Sequence, residues 1–168
     1  MSTNKYCLFF DKFLATGFFA GYSPFAPGTM GAIVATLMWI LSSYFIGLST
    51  LYIITLWCCV LFTLCSIQPI NRLEDIWGED PSRVVVDEMV GVWICLLAVP
   101  FNVEAFSNQY WIYVCMALAL FRLFDIWKPL GVRKMESLGG GWGVMMDDIL
   151  AGCYGAIVMM TIRWFNLF

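Results

Sequence analysis

The sequence has no histidine and few charges of either sign: nine Lys or Arg and twelve Asp or Glu in 168 residues. Without histidine, the commonest general base and the commonest zinc ligand are both missing. Any chemistry must therefore come from carboxylates, Lys or Arg, hydroxyls or thiols. The charged share of 12% is about half the roughly 25% usual in soluble domains. A net charge of −3 and a pI of about 4.7 leave no basic field to hold a nucleic-acid backbone. The seven cysteines are odd in number and contain no CxxC, and none precedes an Arg by six positions, so a Cys-x5-Arg phosphate loop is absent. Cys58, Cys59, Cys65, Cys95, Cys115 and Cys153 lie within apolar stretches and read as buried small hydrophobes, while Cys7 sits at the edge of the first apolar run.

What the chain does have is apolar surface. Hydrophobic residues make up 61%, with 14 Phe, 8 Trp and 7 Tyr, and the mean hydropathy is +0.81. Too little polar surface remains to cover a soluble globule of this size, so the sequence predicts an integral membrane protein. The pattern gives an all-α, polytopic transmembrane helix bundle forming one domain over 1–168, with about five spans near 29–47, 49–68, 84–100, 110–127 and 144–164. Residues 6–20 are broken by Asp11 and Lys12 and predict a short interfacial or re-entrant helix. A secretory signal is the weaker alternative there, given those charges. The segment from Gly21 to Thr29 holds two prolines and two glycines and predicts a structured loop leading into a helix.

Lys and Arg concentrate in the loops on one side, and that side is expected to be cytoplasmic. Lys5, Lys12, Arg72, Arg83, Lys128, Arg133 and Lys134 fall inside, whereas Arg163 falls outside. The same topology gathers five carboxylates at the inner ends of three successive helices: Asp87 and Glu88, Asp125, and Asp147 with Asp148. A carboxylate inside a span costs about 2.5–3.5 kcal/mol, less toward the interface. Attraction to helix N-termini accounts for acids at the start of a helix, but Asp125 is expected at a C-terminal end, where the macrodipole disfavours it. Five crowded acids repel unless a cation lies between them, and hard oxygen donors point to Mg²⁺, or to Mn²⁺. Asp87 shares a helix face with Gly91, and Asp148 with Gly152 and Gly155. Small residues there allow close helix approach, which ranks Asp87, Asp125 and Asp148 slightly ahead of Glu88 and Asp147 as direct ligands.

Three polar elements fall at the same level. Lys128 reads equally as a phosphate ligand and as a lysine snorkelling to the interface. Arg122 reads mainly as a partner for a bundle acid, with anion binding as its other use. In the loop from Ser23 to Thr29, hydroxyls and backbone N–H groups, including that of Gly28, either cradle a phosphate at a helix N-terminus or only turn the chain. Anion-binding groups beside a carboxylate-held metal at the lipid boundary suggest phosphoryl chemistry on a lipid headgroup. A rival reading is a cation transporter, which predicts acids spread through the membrane depth instead of gathered at one end. The Asp-Gly-x2-Ala-Arg signature of CDP-alcohol phosphotransferases is missing.

Four segments, in order, resemble the phosphatidylglycerophosphatase A family: Gly21–Gly31 (GYSPFAPGTMG), Val86–Gly91 (VDEMVG), Phe121–Pro129 (FRLFDIWKP) and Gly139–Ile149 (GGGWGVMMDDI). The resemblance implies a Mg²⁺-dependent enzyme of the bacterial inner membrane that converts phosphatidylglycerophosphate to phosphatidylglycerol and phosphate. It assigns Asp87, Glu88, Asp125, Asp147 and Asp148 to the acidic site and Lys128 to the basic position. A metal-activated water is the expected nucleophile, with an Asp attacking directly as the alternative. Another lipid monoester, such as phosphatidic acid, is the alternative substrate. Family members often carry histidine in the segment corresponding to 69–83, and this chain has none. Asp75, Glu79 and Asp80 in that segment read as solvated charges. Exposed small and aromatic faces are equally compatible with lipid contact and with a second protomer.

Overall fold

The structure, a computed structural model, describes residues 5–78, 81–129 and 131–165. Its regular elements are all helical: α1 (Lys5–Ala15), α2 (Pro27–Phe45), α3 (Leu48–Trp77), α4 (Val86–Leu96), α5 (Asn108–Trp127), α6 (Val132–Glu136) and α7 (Gly140–Trp164), with a 3₁₀ turn at Ala20–Tyr22. Four of them, α2, α3, α5 and α7, are long and apolar enough to cross a membrane. Their outer faces carry exposed Leu41, Ile53, Trp57, Leu61, Leu123 and Ile157, residues that in water would be an aggregation surface.

The expected span at 84–100 takes a different form. α4 has 11 residues, about 16 Å at 1.5 Å per residue, roughly half a hydrocarbon core. Beyond Asp87 and Glu88 in its first turn it is apolar all round, because it is the central helix, packed between α2, α3, α5 and α7. After Leu96 the chain turns through buried Ala98 and Val99 before Pro100. α3 departs from expectation in the opposite sense: it runs for 30 residues through Pro69 to Trp77, so most of the polar connection expected at 69–83 is helix. Proline is tolerated there because neighbouring helices hold the backbone around it.

Pairwise contacts fix the directions. Gly31 lies against Val85 and Trp93 Nε1 donates to the Ala35 carbonyl at 3.1 Å, while Gly152 lies against Gly91 and Cys95 against Met159, so α2, α4 and α7 run the same way. The Tyr110 and Ser43 hydroxyls hydrogen-bond at 2.7 Å, joining the start of α5 to the end of α2. Asn71 near the end of α3 reaches Gly141 at the start of α7. α3 and α5 therefore return toward the end from which α2, α4 and α7 set out.

The helix expected within 6–20 is α1, too short to span. It lies at that same end: the Ala15 carbonyl accepts the Val85 N–H at 2.9 Å. Arg72 grips buried Asp11 with two hydrogen bonds, Nε to Oδ2 at 2.7 Å and Nη2 to Oδ1 at 2.6 Å. Among the cysteines, Cys59 and Cys95 are buried and Cys58 and Cys153 partly so, but Cys65 and Cys115 face outward. In a spanning helix an outward thiol meets lipid, so its apolar neighbours in sequence do not imply a protein interior.

Candidate active site

Two glycine contacts set the geometry of the acidic residues. Gly91 lies one turn after Asp87 on α4, and Gly152 one turn after Asp148 on α7. A Cβ on Gly152 would overlap the Gly91 carbonyl oxygen, and one on Gly91 would overlap the Phe121 ring and lie 2.8 Å from the Asp148 carbonyl oxygen. The backbones of α4 and α7 therefore touch one turn beyond the acids. As a result, carboxylate oxygens of Asp87, Glu88 and Asp148 fall within 4.8 Å of one another. A third glycine, Gly28 at the start of α2, leaves the space that Glu88 Oε1 occupies, with Arg122 Nη1 3.4 Å from the same point.

The burial is severe for charged groups: Asp87 is 8% exposed and Asp148 3%. Asp87 Oδ1 and Glu88 Oε2 are buried without a hydrogen-bond partner among the described residues, an arrangement that costs several kcal/mol per ion unless compensated. Asp147 and Asp148 do not open their helix as expected. α7 begins at Gly140, so they lie two turns inside it, beyond the first turn where the macrodipole acts. Helix-end electrostatics thus explain neither Asp125 nor the Asp147–Asp148 pair. Three converging carboxylate oxygens, with an unpartnered oxygen on both Asp87 and Glu88, fit a hard divalent cation, with Asp87, Glu88 and Asp148 as its donors.

The other two acids are held by cations. Arg122 Nη1 meets Asp125 Oδ2 at 2.5 Å one turn along α5, and Lys128 Nζ meets Asp147 Oδ2 at 2.7 Å. Asp147 Oδ1 also accepts the Asp148 N–H at 3.0 Å. Lys128 caps α5 in the left-handed conformation at φ 48°, with Pro129 following, and this turn brings its ammonium to α7 instead of letting it snorkel outward. Of the two uses open to Arg122, the structure shows the acid pairing.

All five carboxylates, Arg122 and Lys128 line one cavity of about 700 Å³, together with Ala26, Pro27 and Gly28. Ser23 and Thr29 do not line it. The Ser23 hydroxyl donates to the Phe25 carbonyl at 2.9 Å, folding the loop on itself. Glu74 and Ser82, which the sequence did not single out, also line the cavity, as do Gly139, Gly140 and Gly143 of the fourth resembling segment, to which no site role was assigned. Glu74 stands beside exposed Asp75, and nothing in the charge pattern separates the two. Glu79 and Asp80 lie outside the described residues.

A helical membrane bundle with a carboxylate cluster and two cations in one end-on cavity is the architecture of an enzyme acting at the lipid boundary. Comparison with known proteins makes this specific. The family model for phosphatidylglycerophosphatase A matches residues 13–163. The chain is 34% identical over 150 residues to phosphatidylglycerophosphatase A of Escherichia coli, covering 89% of this chain and 81% of that one. It is 36% identical over 156 residues to the Haemophilus influenzae protein of the same name, covering 92% and 89%. A Bacteroides thetaiotaomicron protein, provisionally named phosphatidylinositol-3-phosphatase, is 56% identical over 156 residues, covering 93% and 95%. No solved structure gives a significant match. The chain belongs to the phosphatidylglycerophosphatase A family, and is a membrane-embedded phosphoric monoester hydrolase for a lipid phosphate.

Proposed function

We propose that this chain hydrolyses the terminal phosphate monoester of phosphatidylglycerophosphate, giving phosphatidylglycerol and phosphate, at the cytoplasmic face of the bacterial inner membrane. The observation that carries the reading is the convergence of Asp87, Glu88 and Asp148 oxygens beside Arg122 and Lys128 in one cavity. Asp87, Glu88 and Asp148 would hold Mg²⁺, with Mn²⁺ the substitute. When bound, such an ion supplies charge neutralisation on phosphate oxygens and a water of lowered pKa. The cytoplasmic orientation is supported by Arg72 and Lys128 near the cavity end and Arg163 at the far end of α7.

The chain's own groups then divide the work. Arg122 and Lys128 offer N–H donors to the phosphate oxygens, where negative charge must be stabilised. Asp125 and Asp147 are the carboxylates outside the three-oxygen group, and either stands in the cavity to take a proton from the attacking water. The water oxygen bonds to phosphorus, the bond from phosphorus to the glycerol oxygen breaks, and the proton passes to that oxygen to complete the alcohol.

A second reading, a phosphatidylinositol 3-phosphate substrate, is favoured by the 56% identity to the Bacteroides protein of that provisional name. Phosphate release by the purified chain in detergent from phosphatidylglycerophosphate, phosphatidylinositol 3-phosphate and phosphatidic acid separates the readings. The proposal expects the highest kcat/KM for phosphatidylglycerophosphate. Preference for the inositol lipid transfers the site to the second reading, and preference for phosphatidic acid rejects both.

A further inference from the structure

The cavity is larger than a phosphate and a cation require, and its two ends differ in chemistry. One end holds Arg122 and the carboxylate group. Away from these, the lining includes Glu74 in the last turn of α3, Ser82 in the segment 81–84, and Gly139 and Gly140; the Asn71–Gly141 hydrogen bond sets the end of α3 beside the start of α7, two turns before Asp147. Glu74 Oε2 lies 3.8 Å from where a Cβ on Gly140 would stand. Gly140 precedes Asp147 by seven residues, about 10 Å along a helix axis. Glu74 thus sits roughly one small headgroup away from the phosphate end.

Glu74 is half-buried and Ser82 exposed, so this end opens toward water. A carboxylate accepts hydrogen bonds and cannot donate them, while a serine hydroxyl does both. Such a pair suits alcohol hydroxyls. The glycines contribute by what they leave out. Gly139 and Gly140 both have positive φ, 68° and 57°, and both line the cavity with backbone alone. Asn71 Oδ1 accepts the Gly141 N–H at 2.6 Å and fixes this turn in place.

We infer that this outer end is a polyol subsite, in which Glu74 accepts a hydrogen bond from a free hydroxyl of the alcohol esterified to the scissile phosphate. The inference rests on the function proposed above and extends it from the phosphate to the headgroup. Glycerol and inositol present the same chemistry here, and the two lipids serve as separate arms of the test.

Full-length wild type, Glu74→Gln, Glu74→Ala and Ser82→Ala are assayed on phosphatidylglycerophosphate, phosphatidylinositol 3-phosphate and phosphatidic acid, whose phosphate carries no polyol. Inhibition by inorganic phosphate and by glycerol 3-phosphate is measured in parallel. The expected result is that both Glu74 variants lower selectivity for the preferred polyol lipid over phosphatidic acid roughly 10-fold. The loss appears in KM rather than kcat, and the advantage of glycerol 3-phosphate over inorganic phosphate as an inhibitor disappears. The inhibitor comparison decides the matter if phosphatidic acid is turned over too slowly to measure. Equal losses toward all ligands, or no loss toward any, overturn the polyol subsite while leaving the proposed function standing. Failure of wild type to release phosphate from either polyol lipid overturns both.

Discussion

Gly91 of α4 and Gly152 of α7 meet backbone to backbone, so close that a side chain on Gly152 has no room beside the Gly91 carbonyl. Each glycine stands one turn beyond an acid of the three-oxygen group, which makes this contact the spacer that sets the distance from Asp87 and Glu88 to Asp148. Gly152→Ala must push the helices apart. It is expected to destabilise the fold by about 1–3 kcal/mol and to lower phosphate release more than 10-fold, read by thermal unfolding in detergent and by a steady-state assay. Unchanged activity in the variant would show that the spacing is not critical.

The three-oxygen group predicts a metal-binding phenotype separable from turnover. Titration of Mn²⁺ followed by electron paramagnetic resonance should show binding in wild type and its loss, by about 10-fold or more, in Asp87→Asn and Asp148→Asn. Asp75→Asn, exposed and not among the residues that line the cavity, should bind as wild type does.

Lys128 holds Asp147 at 2.7 Å, so its removal acts twice. Lys128→Met should cost roughly 100- to 1,000-fold in kcat by taking a donor from the phosphate, and should also lower stability by stripping an ammonium from a buried carboxylate. The double variant Lys128→Met/Asp147→Asn should regain stability without regaining activity. Thermal unfolding beside phosphate release distinguishes the two effects, and joint recovery would contradict the role given to Lys128.

The bidentate Asp11–Arg72 pair ties α1 to α3. Side-chain exposure of 36% for Arg72 against 5% for Asp11 puts it between a surface and a buried pair. A double-mutant cycle with Asp11→Asn and Arg72→Gln should give a coupling of about 1–3 kcal/mol, reduced from the fully buried range by solvent screening. A coupling near zero would mean that α1 is held by its apolar contacts alone.

The membrane class and the carboxylate end of the bundle were legible in the sequence because both rest on strong, local signals. Lipid demands long apolar helices, and five acids beside them are conspicuous. Gly91 and Gly152, one turn after their acids, marked faces fit for close helix approach, but that α4 and α7 meet each other there comes from the packing. Lengths were less legible. α4 is fully enclosed by other helices, so its apolarity reads like that of a span, and only packing reveals that it stops at Leu96. α3 passes through Pro69 because tertiary neighbours support it. Within the site, Glu88 joins Asp87 and Asp148 while Asp125 pairs with Arg122. The choice depends on the Gly28 gap that admits Glu88, a relation across 60 residues that spacing along one helix does not carry. Glu74 and Asp75 are adjacent and both acidic, and the turn of α3 alone decides which one faces the cavity.

The most direct test of the account is phosphate release from phosphatidylglycerophosphate by purified protein stripped with EDTA and then titrated with Mg²⁺. The account predicts no release from the stripped protein and a saturable return of activity as Mg²⁺ is added. Release that persists through chelation, or that no concentration of Mg²⁺ or Mn²⁺ restores, would contradict it.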